Sequence, residues 1–217
     1  MDSEAKLRLV EQITEDLREE VSRAISSYAV MEGGNEVFPK LTRNVRHKSI
    51  SVYNTIKFSM ILKISMDIAR IYDRDNDKRK NNDNSKSSIF TLEKLFKEEE
   101  IKKAVVCRDK LEKYLNNLES YKKEKSEEYC RINKIRKFRN SYIAHRLNNN
   151  SNDDIIPTFG DIEILLKDSI LLVSCASLAV EGRNTEFCDK MNRERELARE
   201  YYRVLAKGFE GEGIEVS

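Results

Sequence analysis

The segment from Arg131 to Leu147 reads RINKIRKFRNSYIAHRL. It carries Arg131, Lys134, Arg136, Lys137, Arg139 and Arg146 and no acid. The whole chain is nearly balanced, with 40 Lys+Arg against 38 Asp+Glu. The excess is therefore local, and a helix so composed attracts phosphate. Arg139 and His145 stand six residues apart, a rise of about 9 Å and a turn of about 240° on an ideal helix. They fall on adjoining stripes. One is Ile135, Arg139, Tyr142, Arg146; the other is Lys134, Phe138, Ser141, His145. A long guanidinium arm can still meet the imidazole at one phosphate. Asn140 adds a neighbouring amide, and Tyr142 offers a ring for base stacking or for packing.

The chemistry open to such a set is phosphodiester cleavage in RNA. The ribose 2′-OH already lies beside the phosphorus, so no metal or cofactor is required. A base must take the 2′-OH proton, an acid must protonate the leaving 5′-oxygen, and positive charge must stabilise the phosphorane. Histidine titrates near neutrality and serves either proton role. Arginine stays charged and holds phosphate oxygens in a two-pronged grip. One histidine does not easily fill both roles in one step, so a symmetric dimer joining two Arg–His sets is expected. A solvated basic face with a hydrogen-bonded histidine remains the plainer reading of the same residues.

Other candidates are weaker. Arg43-Asn44-Val45-Arg46-His47 imitates the arrangement with arginine and histidine four residues apart instead of six, and reads as surface near a helix start. Two histidines make a poor metal set. Cysteines 107, 130, 175 and 188 show no CxxC spacing and read as buried reduced thiols. Tyr201 and Tyr202 are adjacent and face different sides of a helix.

The elements that must position these residues are helical. Only 7 Gly and 2 Pro occur in 217 residues, too few for the turns of an all-β fold. Apolar stripes at three- and four-residue steps predict helices over 3–31, ended by Gly33-Gly34, and over 42–72. DRDNDKRKNNDNSKS, residues 73–87, has no apolar side chain and predicts a solvated loop inserted in one bundle. Helices are further expected over 88–96, along Ile101 to Leu118, over 127–147, over 161–180 as the central helix, and over 185–207. Residues 208–217 are expected to fray. One domain spanning 1–217 is predicted. No run approaches the ~18 apolar residues of a membrane span, and no signal-peptide pattern opens the chain. A cytoplasmic protein is expected, with no membrane partner.

FRNSYIAHR, Phe138 to Arg146, resembles the signature of the HEPN superfamily: arginine, a polar residue, a short gap, then histidine. SMDIARIYDR (65–74), SSIFTLEKLF (87–96) and PTFGDIEILL (157–166) are similar to its abortive-infection U-type branch, so the likeness covers roughly residues 40–180. The resemblance implies an all-α, up-and-down helical bundle, here with additional N- and C-terminal helices. It implies a metal-independent endoribonuclease without cofactor, a toxin or anti-phage effector acting as a homodimer, sometimes countered by an antitoxin protein. Arg139 and His145 become the catalytic pair and Asn140 a positioning helper. Arg131, Lys134, Arg136, Lys137, Tyr142 and Arg146 are assigned to RNA on charge and ring chemistry alone. Leu147 stands where some HEPN toxins carry a modifiable tyrosine. The alternative is a non-catalytic helical module that binds nucleic acid, a nucleotide or a protein through the same basic cleft.

Overall fold

A computed structural model describes residues 3–38, 48–73, 87–145 and 157–211. Among them are eight α-helices, one 3-10 turn and no strand. They are α1 (Ser3–Val37), α2 (Lys48–Ile71), α3 (Ile89–Phe96), α4 (Glu99–Ala104), α5 (Arg108–Leu118), the turn Ser120–Lys122, α6 (Glu127–His145), α7 (Phe159–Glu181) and α8 (Phe187–Gly211). No described helix is long and apolar enough to cross a membrane. The loop expected over 73–87 lies outside the described residues except at its two ends, as does His47. The chain divides into two compact units, 1–21 with 65–185, and 22–64 with 186–217.

In the first unit α7 is the central helix, as its composition predicts. Ile162, Leu165, Leu166, Leu172, Val173, Ala176 and Ala179 are all buried. Thr158 caps its start: the Asp161 N–H donates to Thr158 Oγ1 at 3.1 Å, and the Thr158 N–H donates to Asp161 Oδ2 at 2.9 Å. Gly182, in the left-handed region at φ 65°, ends it. The last turn of a helix leaves carbonyls without intrahelical donors. Here the Val106 and Cys107 N–H groups donate to Ala179 O at 2.8 and 3.2 Å.

That contact explains one departure from expectation. Ile101 to Leu118 was expected to be one helix, but α4 and α5 are separated by extended residues. Val105 has φ −64° and ψ 142°, Cys107 φ −131° and ψ 100°. An unbroken helix would have used those N–H groups internally. α5 packs on α7, and its buried Tyr114 donates to Ile89 O at 2.6 Å while meeting Phe96 edge to face. The reading of the cysteines also needs correction. Cys175 is buried, Cys107 is half-buried, and Cys130 and Cys188 are exposed.

In the second unit α1 does not end at Gly33-Gly34 but runs on to Val37. The glycines serve close approach instead. A Cβ on Gly33 would stand 2.9 Å from Ala198 Cβ, and one on Gly34 2.8 Å from the Tyr53 ring. Phe38, Tyr53 and Tyr202 form a buried edge-to-face cluster with centroids 5.3 to 6.1 Å apart, and burial pushes the Tyr53 hydroxyl up to about 12. Arg195 grips Glu32 and Arg199 grips Glu36, each through two guanidinium nitrogens. α8 remains helical to Gly211, past the point where fraying was expected; 212–217 lie outside the described residues.

The tight seat predicts that Gly33→Val lowers stability by about 1–3 kcal/mol, because the added carbons meet the α8 backbone, not a yielding side-chain tip. A lowered urea midpoint with an unchanged slope is the expected result.

Candidate active site

α6 belongs wholly to the first unit. Its placement begins with three apolar side chains. Ile132, Ile135 and Phe138 recur at a three-residue step and are buried. With that face turned inward and α6 packed on α7 and on the Ser120–Lys122 turn, the cations between them come to the half-exposed flanks. Lys137 and Asn140 are exposed, while Lys134, Arg136 and Arg139 are half-buried.

The half-buried cations are not unaccompanied. Lys134 Nζ lies 2.9 Å from Asp161 Oδ2, the carboxylate that also caps α7. Arg136 donates to the Tyr72 carbonyl at the end of α2. Arg139 Nη1 stands 4.0 Å from Asp73 Oδ2, and its Nε donates to Asn140 Oδ1 at 3.2 Å. Within its own helix, Arg131 reaches Glu127 at 2.6 Å. The stretch is free of acids only along the sequence; folding brings carboxylates to it from α7 and the end of α2. Asp73 and Asp161 were therefore missed as site neighbours, and no spacing rule links them to α6. The expected strong positive field is correspondingly reduced; of the described cations on α6, Lys137 alone forms no ion pair or hydrogen bond among the described residues.

Arg139, Asn140 and His145 share one unbroken helix whose last residue is His145. The side chains of Tyr142 and His145 lie outside those described, and so does Arg146. The described geometry thus joins Arg139 to Asn140 and supplies the helix on which His145 stands.

Behind α6, Tyr72 and Tyr121 are buried with ring centroids 4.9 Å apart, and Tyr121 donates its hydroxyl to Asp168. Burial drives both phenols above their ordinary range. Two α7 carboxylates are shifted in opposite directions. Burial raises Asp161, but hydrogen bonds from Lys134 and Thr158 overcome it and hold it below 3.8. Burial raises Asp168 above 3.8, and the Tyr121 hydrogen bond only partly offsets this.

The signs separate cleanly. A lowered native value contributes stability above the unfolded value, lost as pH falls through the native one. A raised value costs stability at neutral pH, and the cost is relieved as pH falls through it. Asp161→Ala should therefore lose about 1 kcal/mol at neutral pH, with a loss that shrinks below pH 3.8. Asp168→Asn keeps an acceptor for Tyr121 and should be neutral or stabilising at pH 7. Urea titrations of both variants across pH check this; equal losses at neutral pH contradict it.

A family model described as HEPN_AbiU2: AbiU2 matches residues 9–197. No curated protein and no solved structure matches the chain.

Proposed function

This chain belongs to the AbiU2 family of HEPN proteins, and from that premise we propose a metal-independent endoribonuclease of the toxin or abortive-infection type. Arg139 and His145 are its catalytic pair, and Asn140 positions the guanidinium. The observation that carries the reading is the helical segment Phe138 to His145, inside the matched region, with the Arg139–Asn140 contact made.

In the reaction the 2′-oxygen attacks phosphorus as a base removes its proton. The bond from phosphorus to the 5′-oxygen breaks, and an acid protonates the leaving oxygen. The products are a 2′,3′-cyclic phosphate and a 5′-hydroxyl. Arg139 exchanges the loose contact with Asp73 for the phosphorane oxygens. That contact is long and partly exposed, so the exchange costs little. His145 of one copy acts as base and His145 of a second copy as acid, which makes the site a property of a homodimer. Lys137, flanked by Arg131 and Arg146, holds the RNA backbone, and Tyr142 stacks on a base, while Lys134 and Arg136 stay tied to Asp161 and the Tyr72 carbonyl. An antitoxin protein would act by covering this face of α6.

The second reading, a binding module without turnover, draws support from the partners that Arg131, Lys134, Arg136 and Arg139 already have. Total RNA incubated with the protein in EDTA separates the two. Cleavage should persist in chelator, and His145→Ala and Arg139→Ala should each lose about 10²–10⁴-fold in rate. RNA binding by His145→Ala should stay within a few-fold. Wild type that binds and never cuts establishes the module; cleavage abolished by chelator refutes the metal-free mechanism.

A further inference from the structure

The end of α2 meets α6 at two points. Arg136 donates to the Tyr72 carbonyl, and about one turn further along α6 the Arg139 guanidinium stands 4.0 Å from the Asp73 carboxylate. The backbone that carries this carboxylate is anchored. The Tyr72 N–H donates to Ile68 O and the Asp73 N–H to Arg70 O, each at 3.1 Å, and the Tyr72 ring is buried against Tyr121. Neighbouring acids face a different cation: Glu20 and Asp67 lie 3.5 and 3.9 Å from Arg70. Among the described residues, Asp73 is the carboxylate that stands beside Arg139.

At that spacing the two groups form no hydrogen bond. Asn140 Oδ1 engages the Arg139 Nε at 3.2 Å, which leaves the two Nη nitrogens for a ligand. The oxygens of a phosphate bound there come to about 2.7–2.9 Å from nitrogen. The phosphate then lies within the ~8 Å screening length of Asp73 at physiological salt. A guanidinium by itself attracts every negative charge a ligand brings. Arg139 and Asp73 together are close to neutral, so a second charge on the ligand gains little or is repelled. A phosphodiester carries one negative charge, and a phosphomonoester about 1.5 to 2 at neutral pH. The two-pronged hydrogen bonds are open to both.

We propose that Asp73 determines the charge selectivity of Arg139: it tunes the site to the singly charged internal phosphodiester of RNA and against the doubly charged monoester of a free nucleotide or a chain end. The inference rests on Arg139 as the phosphate-binding group of the proposed function, and not on turnover. The reaction itself fits a site of this charge. One proton leaves the 2′-oxygen as another reaches the 5′-oxygen, so the reacting group stays near one negative charge. Selection against monoesters also keeps abundant free nucleotides and inorganic phosphate off Arg139.

Two small ligands test this on the full chain. 2′-Deoxyuridine 3′-phosphate and its methyl ester differ by one charge, and both lack the attacking hydroxyl. Each is titrated by NMR at about pH 8, above the second phosphate ionisation near 6. Wild type should bind the methyl ester at least as tightly as the monoester. Asp73→Asn should turn the preference toward the monoester, moving the ratio of the two dissociation constants about three- to tenfold. Asp73→Glu should keep the wild-type ratio, and in an Arg139→Gln background the effect of Asp73→Asn should vanish. Partial unfolding scales both constants alike and leaves their ratio untouched. Four results overturn the proposal: a several-fold wild-type preference for the monoester, a ratio that Asp73→Asn leaves in place, a shift that survives the loss of Arg139, or wild type that binds neither compound. RNA left uncut while the ratio moves as expected refutes the enzymatic reading instead and leaves the selectivity standing.

Discussion

The burial of Ile132, Ile135 and Phe138 fixes how α6 is rotated, and the site depends on that rotation. A helix has one degree of freedom about its own axis. Once three side chains on one side are taken from water, the direction of every other residue follows. Each such side chain contributes about 1.5–3 kcal/mol when fully buried. Surface ion pairs are worth about 0–1 kcal/mol. The apolar face therefore decides the orientation, and the ion pairs adapt to it. Arg139 and Asn140 come to the surface because Ile135 and Phe138 cannot.

The same rotation brings the cations of α6 against acids from elsewhere in the fold. Asp161 does two things: it closes the capping box of α7 and receives Lys134. The end of α2 supplies the Tyr72 carbonyl to Arg136 and the Asp73 carboxylate to Arg139. Local excess of positive charge in a sequence is thus an upper bound on the field of the folded helix. A short charge-assisted pair such as Lys134–Asp161 is a structural tie. A 4.0 Å contact such as Arg139–Asp73 leaves the guanidinium available to a phosphate, whose two-pronged geometry competes well.

Helical class, the central helix and the inner face of α1 were legible because they rest on local periodicity; the buried face of α6, Ile132, Ile135 and Phe138, was not picked out. The failures share a different cause. Gly33 and Gly34 look like a stop signal, but tertiary crowding by Ala198 and Tyr53 makes them a helix interior. The break between α4 and α5 follows from unmet carbonyls at the end of α7, far along the chain. Asp73 and Asp161 as neighbours of the basic helix are non-local in the same way. The Arg139–Asn140–His145 pattern was legible as a motif, since its residues lie in one helix. Which of its flanking cations are tied down was not, because their partners come from other helices. Along α8 the spacing did not show which apolar side chains are covered: Ala198 and Tyr202 are buried, while Leu197, Tyr201 and Val204 are exposed.

Attack by the ribose hydroxyl is the step on which the enzymatic account stands, and a substrate with a single atom removed addresses it directly. An oligoribonucleotide cut by the protein should be prepared again with one 2′-deoxy residue immediately 5′ of the scissile phosphate. The account predicts that this one bond becomes resistant, while the unmodified strand yields a 2′,3′-cyclic phosphate and a 5′-hydroxyl by mass spectrometry. Cleavage at the deoxy position, or a 5′-phosphate on the product, contradicts it.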